Sequence, residues 1–407
     1  MRRFAPLTLA AVAVAALGLA ACAPEPLGVF PPDEAVPTAS PSDGAGDSAA
    51  AQPVPTPTVP ACVALAQRLT PEEQVGQLFM LGVNTGGLDE TTRSAISDSR
   101  VGSVVLLGNS EAGQAVIRPL TAELGSLGTA ELPLLVAVDQ EGGAVQRLKG
   151  EGFSDIPPAR AQGGMDPVEL ESKAAEWGEQ LKRAGVDYNL APVADVVPES
   201  KRESNAPIGK LRRDFGSNPA EVADSVVAVV EGMREAGVMT SAKHFPGLGE
   251  VTANTDFGAA LDTETTRESE SLVPFRAAIA AGVSSVMVSS AIFEQIDPNN
   301  EGVFSSAVIT DLLRGDLGFD GVVIADDLGA AKAVAEVTPA ERAVRFFEAG
   351  GDLAINADPA IMAAMAGATV EKAAGDAAFA ARVEESAARV LQLKVDAGLM
   401  SCEGPSR

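Results

Sequence analysis

The sequence of 407 residues contains a single histidine, a single tryptophan, a single tyrosine and three cysteines. One histidine and three cysteines are too few ligands for a His/Cys zinc site, and we predict neither a metal nor a cofactor. Basic residues are also scarce, since 30 Lys and Arg stand against 56 Asp and Glu, for a net charge of −26. A surface this acidic repels phosphate backbones, which argues against nucleic acid as a partner.

The N-terminus carries two arginines and then an Ala-, Val- and Leu-rich run over residues 7–21. This run is shorter than the roughly 20 residues of a spanning helix, so residues 1–21 are predicted to be a signal peptide. It ends in small residues before Cys22 and resembles a bacterial lipoprotein signal, in which Cys22 carries the lipid. The alternative is an ordinary secretory signal with an incidental cysteine. We expect an exported protein on the extracytoplasmic face of the cell membrane, with the lipid anchor as its only membrane contact.

Residues 22–60 consist of the lipidated cysteine and a segment rich in Pro, Ala, Ser, Asp and Gly. Such a composition buries too little apolar surface to offset its ordering entropy, and it predicts a flexible tether. The folded domain is expected over residues 61–407. Two further cysteines, Cys62 and Cys402, lie at its two ends, and in an oxidising compartment we expect them to form a disulfide.

In this domain apolar, strand-like runs alternate with segments whose apolar residues recur at helical spacing. Eight strands are predicted, at residues 77–83, 101–107, 134–139, 188–194, 239–244, 285–290, 321–326 and 352–356. Among the helical segments are residues 167–184, 219–236, 267–281 and 339–349. Gly185 and Gly237 each end a predicted helix and precede a strand, as C-cap glycines do.

Strict alternation predicts an α/β protein with a parallel sheet, either an open doubly wound sheet or a closed (β/α)8 barrel. No Gly-x-Gly-x-x-Gly motif follows the first strand and no P-loop is present, so a nucleotide-binding open sheet has no support. The unusual polar residues follow strands three, four, five and seven, which in a barrel meet at one face. We therefore predict a single TIM-type barrel domain.

Two of the polar motifs contain candidate substrate ligands. The motif after strand three runs from Asp139 through two glycines to Arg147, and a strand-end carboxylate can accept hydrogen bonds from adjacent hydroxyls. Strand five ends with Lys243 and His244, which supply donors at the predicted mouth of the barrel. A lone buried histidine is more often a satisfied core residue, but the adjoining lysine and Pro-Gly turn favour a functional one.

The other two motifs follow strands four and seven. In the loop after strand four, Arg213 or Arg212 could reach the site as a fixed fork of donors. The alternative is an exposed arginine paired with Asp214. Strand seven ends in Asp326 and Asp327, and two acids are costly there unless they bind cations, sugars or a helix N-terminus. Asp327 is expected to cap the next helix, which leaves Asp326 to face the barrel mouth.

Taken together, the motifs resemble glycoside hydrolase family 3, and specifically its β-N-acetylglucosaminidase branch. Residues 139–147 resemble D-Q-E-G-G-R-V-Q-R, residues 243–249 resemble K-H-F-P-G-H-G, and residues 318–328 resemble G-F-x-G-V-x-x-[ST]-D-x-L. The resemblance extends from about residue 70 to 398 and implies a retaining β-glycosidase. It implies that Asp326 is the nucleophile. The sugar-binding residues that it implies are Asp139, Arg147, Arg213, Lys243 and His244.

The acid/base loop departs from that family. Where the family has D-S-H, this chain has Asn254-Thr255-Asp256, and the histidine of G-H-G is replaced by Leu248. The arginine after the double glycine is replaced by Ala144. An amide cannot donate and recover a proton, so Asn254 is expected to hold the loop at the substrate site by hydrogen bonds. Asp256 can be the proton donor if burial or the charge of Asp326 lifts its pKa above about 3.9.

The leading hypothesis is therefore a monomeric retaining hydrolase that removes terminal β-linked N-acetylglucosamine from cell-wall-derived glycans. The alternative is a glycan-binding lipoprotein that has lost most of its catalysis, which the altered acid/base loop favours. The retained nucleophile argues against it, because a pure binder gains little from a buried, unpaired aspartate. A transglycosylase or a phosphorylase on the same scaffold is a further alternative.

Overall fold

The computed structural model describes residues 61–403. The predicted signal peptide (1–21), the lipidated Cys22 and the tether (22–60) lie outside these residues. Eight barrel strands, β1 to β8, form at all eight predicted places. Their bounds are β1 Phe79–Asn84, β2 Ser103–Leu107, β3 Leu135–Val138, β4 Tyr188–Asn189, β5 Met239–Phe245, β6 Ser285–Val288, β7 Val322–Ala325 and β8 Ala354–Asn356.

The eight strands form one parallel sheet whose order runs from β7 down to β1 and then to β8. The two edge strands meet, because Ala325 N donates to Leu353 O at 2.9 Å and a parallel bridge joins Ile324 to Leu353. The (β/α)8 barrel is thereby confirmed. β4 is shorter than predicted, because Pro192 has no N–H with which to continue the ladder.

Helices surround the barrel. Their bounds are α1 Ala61–Ala66, α2 Pro71–Gln77, α3 Glu90–Asp98, α4 Gln114–Gly125, α5 Ala159–Gln162, α6 Pro167–Arg183, α7 Pro219–Glu235, α8 Val273–Ala280, α9 Pro339–Glu348, α10 Met362–Gly375 and α11 Ala377–Asp396. A π-helix, Ala307–Asp316, precedes β7. Side chains start several helices: Asp166 caps α6, Asn218 caps α7, and Thr338 forms a capping box with Glu341 at α9.

The barrel interior is filled by side chains and is not a pore. Inward-facing residues of the strands pack together there, among them Met80, Val105, Leu135, Tyr188 and Met287. A larger apolar layer lies between the strands and the helices. None of the described helices is both long and apolar enough to cross a membrane.

A disulfide joins the two ends of the described chain. Cys62 of α1 bonds to Cys402, their Cα atoms lie 5.0 Å apart, and 340 residues separate them in sequence. The bond lies at the end of the barrel where the strands begin. Lys182, which ends the helix before β4, donates to Ala397 O at 3.1 Å, and this places the segment before Cys402 at that end.

The same end contains a buried lysine that has no acidic partner among residues 61–403. Lys394 of α11 donates from Nζ to Gln77 Oε1 at 2.6 Å and to Pro133 O at 2.8 Å. Gln77 lies just before β1 and Pro133 just before β3. Burial lowers the pKa of Lys394 from 10.5 to about 7.

Candidate active site

The predicted site residues lie at the opposite end, where the strands finish. Asp139 directly follows β3, Lys243 and His244 are near the end of β5, and Asp326 directly follows β7. Asp326 N donates to Val288 O at 2.9 Å, which joins it to the end of β6. The mouth of the barrel therefore brings together polar residues that are far apart in sequence.

Lys243 is held between two carboxylates. Its Nζ lies 2.6 Å from Asp139 Oδ1 and 2.7 Å from Glu141 Oε1. Burial disfavours the ammonium, but the two carboxylates outweigh it and raise the pKa of Lys243. Lys243 is therefore a fixed cation at neutral pH.

Glu141 is a site residue that the sequence analysis missed. Arg213 binds it with two hydrogen bonds, from Nε to Oε2 at 2.8 Å and from Nη2 to Oε1 at 2.7 Å. Burial alone would raise the pKa of Glu141, but Arg213 and Lys243 hold it well below its usual range. Asp139, Glu141, Arg213 and Lys243 form one charged cluster, which we call the mouth cluster.

Arg213, not Arg212, reaches this cluster. Arg212 is exposed and has a left-handed backbone conformation, with φ at 58°. The alternative in which the arginine pairs with Asp214 is wrong, because Asp214 is buried against Arg160, whose Nη2 donates to it at 2.6 Å. Arg213 therefore pairs with Glu141, whereas Asp214 pairs with Arg160.

His244 is oriented by Asp195, a carboxylate that was not among the predicted site residues. Asp195, after β4, accepts from His244 Nδ1 at 2.8 Å. Its other oxygen accepts the backbone N–H groups of His244 at 3.1 Å and of Leu248 at 2.8 Å. With Nδ1 bonded to Asp195, the Nε2 atom is the ring nitrogen that remains, 3.5 Å from Arg213 Nη2.

Asp326 and Asp327 have different surroundings. Asp327 accepts the backbone N–H groups of Gly329, Ala330 and Ala357, so it fixes the turn after β7. Asp326 accepts only the N–H of Asp327, at 2.9 Å, among the described hydrogen bonds of its carboxylate. Burial raises the pKa of Asp326, nearby Asp256 raises it further, and His244 opposes the rise.

The loop that carries Asn254 and Asp256 is fixed to the segment after β7. Lys332 N donates to Asp256 O at 3.3 Å, and Ala333 N donates to Thr255 O at 3.1 Å. Asn254 Oδ1 accepts the N–H of Asp256 at 2.9 Å, which holds the loop as expected for this amide. The side chain of Asp256 is exposed.

Leu248 replaces the family histidine with a core residue. It is buried in an apolar cluster with residues that include Val193, Ile208 and Phe293. Asn205 supports the same region, because its Nδ2 donates to the backbone oxygens of Leu248 at 2.6 Å and Val251 at 2.8 Å. The loops after β4 and β5 therefore fold around one buried amide.

The guanidinium group of Arg147 makes few hydrogen bonds within the described residues. Its Nη1 donates to Asn109 Oδ1 at 3.1 Å, and its backbone N–H donates to Asp139 O at 3.3 Å. Within residues 61–403 its buried Nε has no hydrogen-bond partner. The described residues contain no group of His, Cys, Asp and Glu side chains that could hold a metal ion.

Residues 70–393 match the family described as Glycosyl hydrolase family 3 N terminal domain. A β-hexosaminidase of Stenotrophomonas maltophilia (strain K279a) is 34% identical over 294 residues, which cover 70% of this chain and 84% of that protein.

Two solved structures are also similar. The β-N-acetylhexosaminidase of Beutenbergia cavernae is 47% identical with a TM-score of 0.79, over 80% of this chain and 99% of that one. A family 3 β-N-acetylglucosaminidase of Paenibacillus sp. str. FPU-7 is 31% identical with a TM-score of 0.74, over 81% of this chain and 63% of that one. The chain belongs to glycosyl hydrolase family 3 and is an O-glycosyl hydrolase.

Proposed function

We propose that this chain is a retaining exo-β-N-acetylglucosaminidase, with Asp326 as nucleophile. The observation that carries the proposal is the contrast at the end of β7, where Asp327 is engaged by three backbone donors and Asp326 by one. A carboxylate with few hydrogen bonds is a better nucleophile, because less of its charge is stabilised before it attacks. The relatives named above support N-acetylglucosamine as the sugar.

The mouth cluster and its neighbours are proposed to hold that sugar. Asp139 accepts hydrogen bonds from adjacent hydroxyls, and Lys243, with its positive charge fixed by two carboxylates, donates to them. Among the described residues the Arg147 side chain makes one hydrogen bond, to Asn109, and His244 offers Nε2 because Asp195 holds Nδ1. Rigid donors of this kind orient the anomeric carbon toward Asp326 at little entropic cost.

The proposed reaction has two steps. In the first, an oxygen of Asp326 bonds to the anomeric carbon as the glycosidic bond breaks, and Asp256 gives its proton to the leaving oxygen. In the second, Asp256 takes a proton from water, whose oxygen attacks the anomeric carbon and releases Asp326. The β configuration is retained because the carbon is inverted twice.

The mutual charge of the two carboxyls supports this alternation. Asp256 lies near enough to Asp326 to raise the pKa of that carboxyl. In the glycosyl-enzyme Asp326 is an ester without charge, so the repulsion between the two carboxyls is present in the first step and absent in the second.

The test is hydrolysis of an aryl β-N-acetylglucosaminide by the wild type beside Asp326→Asn. We expect turnover by the wild type, β-configured N-acetylglucosamine as the first product by NMR, and loss of at least about 10³-fold in the variant. An α-configured first product, or equal rates for the two proteins, would overturn the assignment.

A glycan-binding protein with little catalysis is the second candidate. The altered acid/base loop favours it, because the family's D-S-H is Asn254-Thr255-Asp256 here and the side chain of Asp256 is exposed. It predicts saturable binding of N-acetylglucosamine with negligible turnover of every β-glycoside.

The cellular setting is part of the proposal. We propose a monomeric lipoprotein, exported and anchored through Cys22, that acts on cell-wall-derived glycans. Support comes from the signal-like N-terminus and from Cys62 and Cys402, whose disulfide fits an oxidising compartment. Mass spectrometry of the N-terminal peptide should detect acylated Cys22, and Cys22→Ser should release the protein from the membrane fraction.

A further inference from the structure

Phe257 is the most exposed large apolar side chain of the described residues, with 82% of its surface accessible. The other described aromatic residues are buried or half-buried. Aromatic side chains normally bury much of their area in a core or an interface, and Phe257 is the exception among the described residues.

The backbone around Phe257 is held in place. Its N–H donates to Asn254 O at 3.0 Å, and the next N–H, of Gly258, donates to the same oxygen at 3.2 Å. Thr255 is buried, and both Thr255 and Asp256 accept hydrogen bonds from the segment after β7. The exposed ring therefore extends from a fixed turn at the barrel mouth.

The neighbour of Phe257 defines what could bind it. Consecutive Cα atoms lie about 3.8 Å apart, so Phe257 adjoins Asp256, the proposed proton donor. The proton donor must reach the glycosidic oxygen, and the next atoms beyond that oxygen belong to the leaving group. A ring beside the donor is thus in reach of the leaving group and not of the sugar that Asp326 attacks.

From this juxtaposition we propose that Phe257 is a stacking platform for the sugar ring on the leaving-group side of the scissile bond. The ligand class is a pyranose, whose C–H face packs on an aromatic ring while its hydroxyls stay in water. The inference rests on the proposed function, because it takes Asp256 as the proton donor. It adds a specificity residue for substrates in which N-acetylglucosamine is linked to another sugar.

The experiment compares two substrates that share the attacked sugar. N,N′-diacetylchitobiose has a pyranose leaving group, whereas N-acetyl-β-glucosaminyl fluoride has none. Phe257→Ala should lower kcat/KM for the disaccharide by about tenfold and leave the fluoride within about twofold. Phe257→Tyr should restore the disaccharide rate, because it restores the aromatic face.

Val168→Ala is the matched control, since it removes another exposed apolar side chain, 74% accessible, from the start of α6. It should change neither rate, and neither alanine variant should shift the melting temperature by more than about 1 °C. Equal effects of Phe257→Ala on both substrates, or none on either, would overturn the inference.

A direct binding measurement separates this inference from the proposed function. If the wild type hydrolyses neither substrate, the proposed function fails. Calorimetry on Asp326→Asn still decides the inference, because Phe257→Ala should weaken disaccharide binding about tenfold and leave N-acetylglucosamine binding unchanged. An unchanged ratio of the two affinities would overturn the platform.

Discussion

Lys243 and Glu141 form a salt bridge of 2.7 Å although only 3% of each side chain is accessible to solvent. Glu141→Gln keeps the shape but leaves Lys243 and Arg213 with Asp139 as the remaining carboxylate of the mouth cluster. Because removing one partner of a buried pair leaves an uncompensated charge in the protein interior, we expect a loss of about 3–5 kcal/mol in the free energy of unfolding. Urea denaturation measures it.

Glu231→Gln provides the control. Glu231 pairs with Arg234 on the exposed surface of α7, at 3.6 Å, so its loss should change stability by less than about 0.5 kcal/mol. Similar losses for the two variants would show that the mouth cluster does not depend on the charge of Glu141.

Asp326→Asn and Asp327→Asn should separate activity from stability. Burial raises the pKa of Asp326, so its charge is unfavourable in the folded state, and Asp326→Asn should unfold at an equal or higher temperature. Asp327→Asn should lower the melting temperature, since an amide cannot accept all three backbone hydrogen bonds as strongly as a carboxylate. Thermal melts at neutral pH test both, and a destabilised Asp326→Asn would contradict the first expectation.

Asp256→Asn should show a leaving-group dependence. A poor leaving group needs protonation, so N,N′-diacetylchitobiose should lose about 10²–10⁴-fold in rate. An activated aryl glycoside departs without a proton, and its first step should change little. Steady-state and burst kinetics on both substrates measure the difference. Equal losses on the two substrates, or none, would mean that Asp256 is not the acid.

Lys394 should make stability depend on pH. Its pKa is about 7 in the folded protein and ordinarily 10.5, so between these pH values the unfolded chain binds a proton that the folded chain does not. Stability from this group therefore rises as pH rises from 7 to 10.5, and below pH 7 its unfavourable contribution is constant.

Lys394→Met should remove that dependence. The difference in free energy of unfolding, variant minus wild type, should grow as pH falls from 10.5 to 7, by up to about 1.4 kcal/mol per unit. In Lys394→Met the oxygens of Gln77 and Pro133 lose their hydrogen-bond donor. This loss lowers the free energy of unfolding of the variant by the same amount at every pH, so it adds no dependence on pH. Lys173→Met, at an exposed lysine of α6, should show no such slope. Parallel profiles for wild type and Lys394→Met would contradict the assignment.

The disulfide should contribute substantially to stability. It closes a loop of 340 residues, for which the chain-entropy account gives an upper value of about 6 kcal/mol. Removal of a native disulfide typically costs about 2–5 kcal/mol, and we expect a loss in that range. Replacing both cysteines, Cys62→Ala with Cys402→Ala, should lower the urea midpoint accordingly while leaving hydrolysis at low temperature unchanged. A reductant should reproduce the shift in the wild type and have no effect on the double variant.

The barrel could be predicted because its signal is local. Each strand is a short apolar run bounded by helical periodicity, and the polar motifs follow the strands that a barrel brings together. The shorter elements could not be predicted, such as the two-residue strands Leu261–Asp262 and Ile292–Phe293. They have too few residues for a period to be recognisable, and they pair with each other only after the loops have folded.

The structure brings the predicted residues Asp139, Lys243 and Asp326 to one end of the barrel, but Glu141 and the pairings among these side chains were not predicted. Lys243 was recognised beside its strand end, yet spacing does not reveal that it contacts Glu141 as well as Asp139. Asp195 follows a strand like the other acids, but its role depends on backbone N–H groups 49 and 53 residues further along the chain. Such pairings are set by the closure of the barrel.

The disulfide and the predicted site residues lie at opposite ends of the barrel. Cys62 and Cys402 lie where the strands begin, whereas Asp139, Lys243 and Asp326 lie where they finish. A chain that enters the domain at Ala61 therefore joins it at the end of the barrel opposite the mouth cluster, and it does not have to pass the site residues to do so.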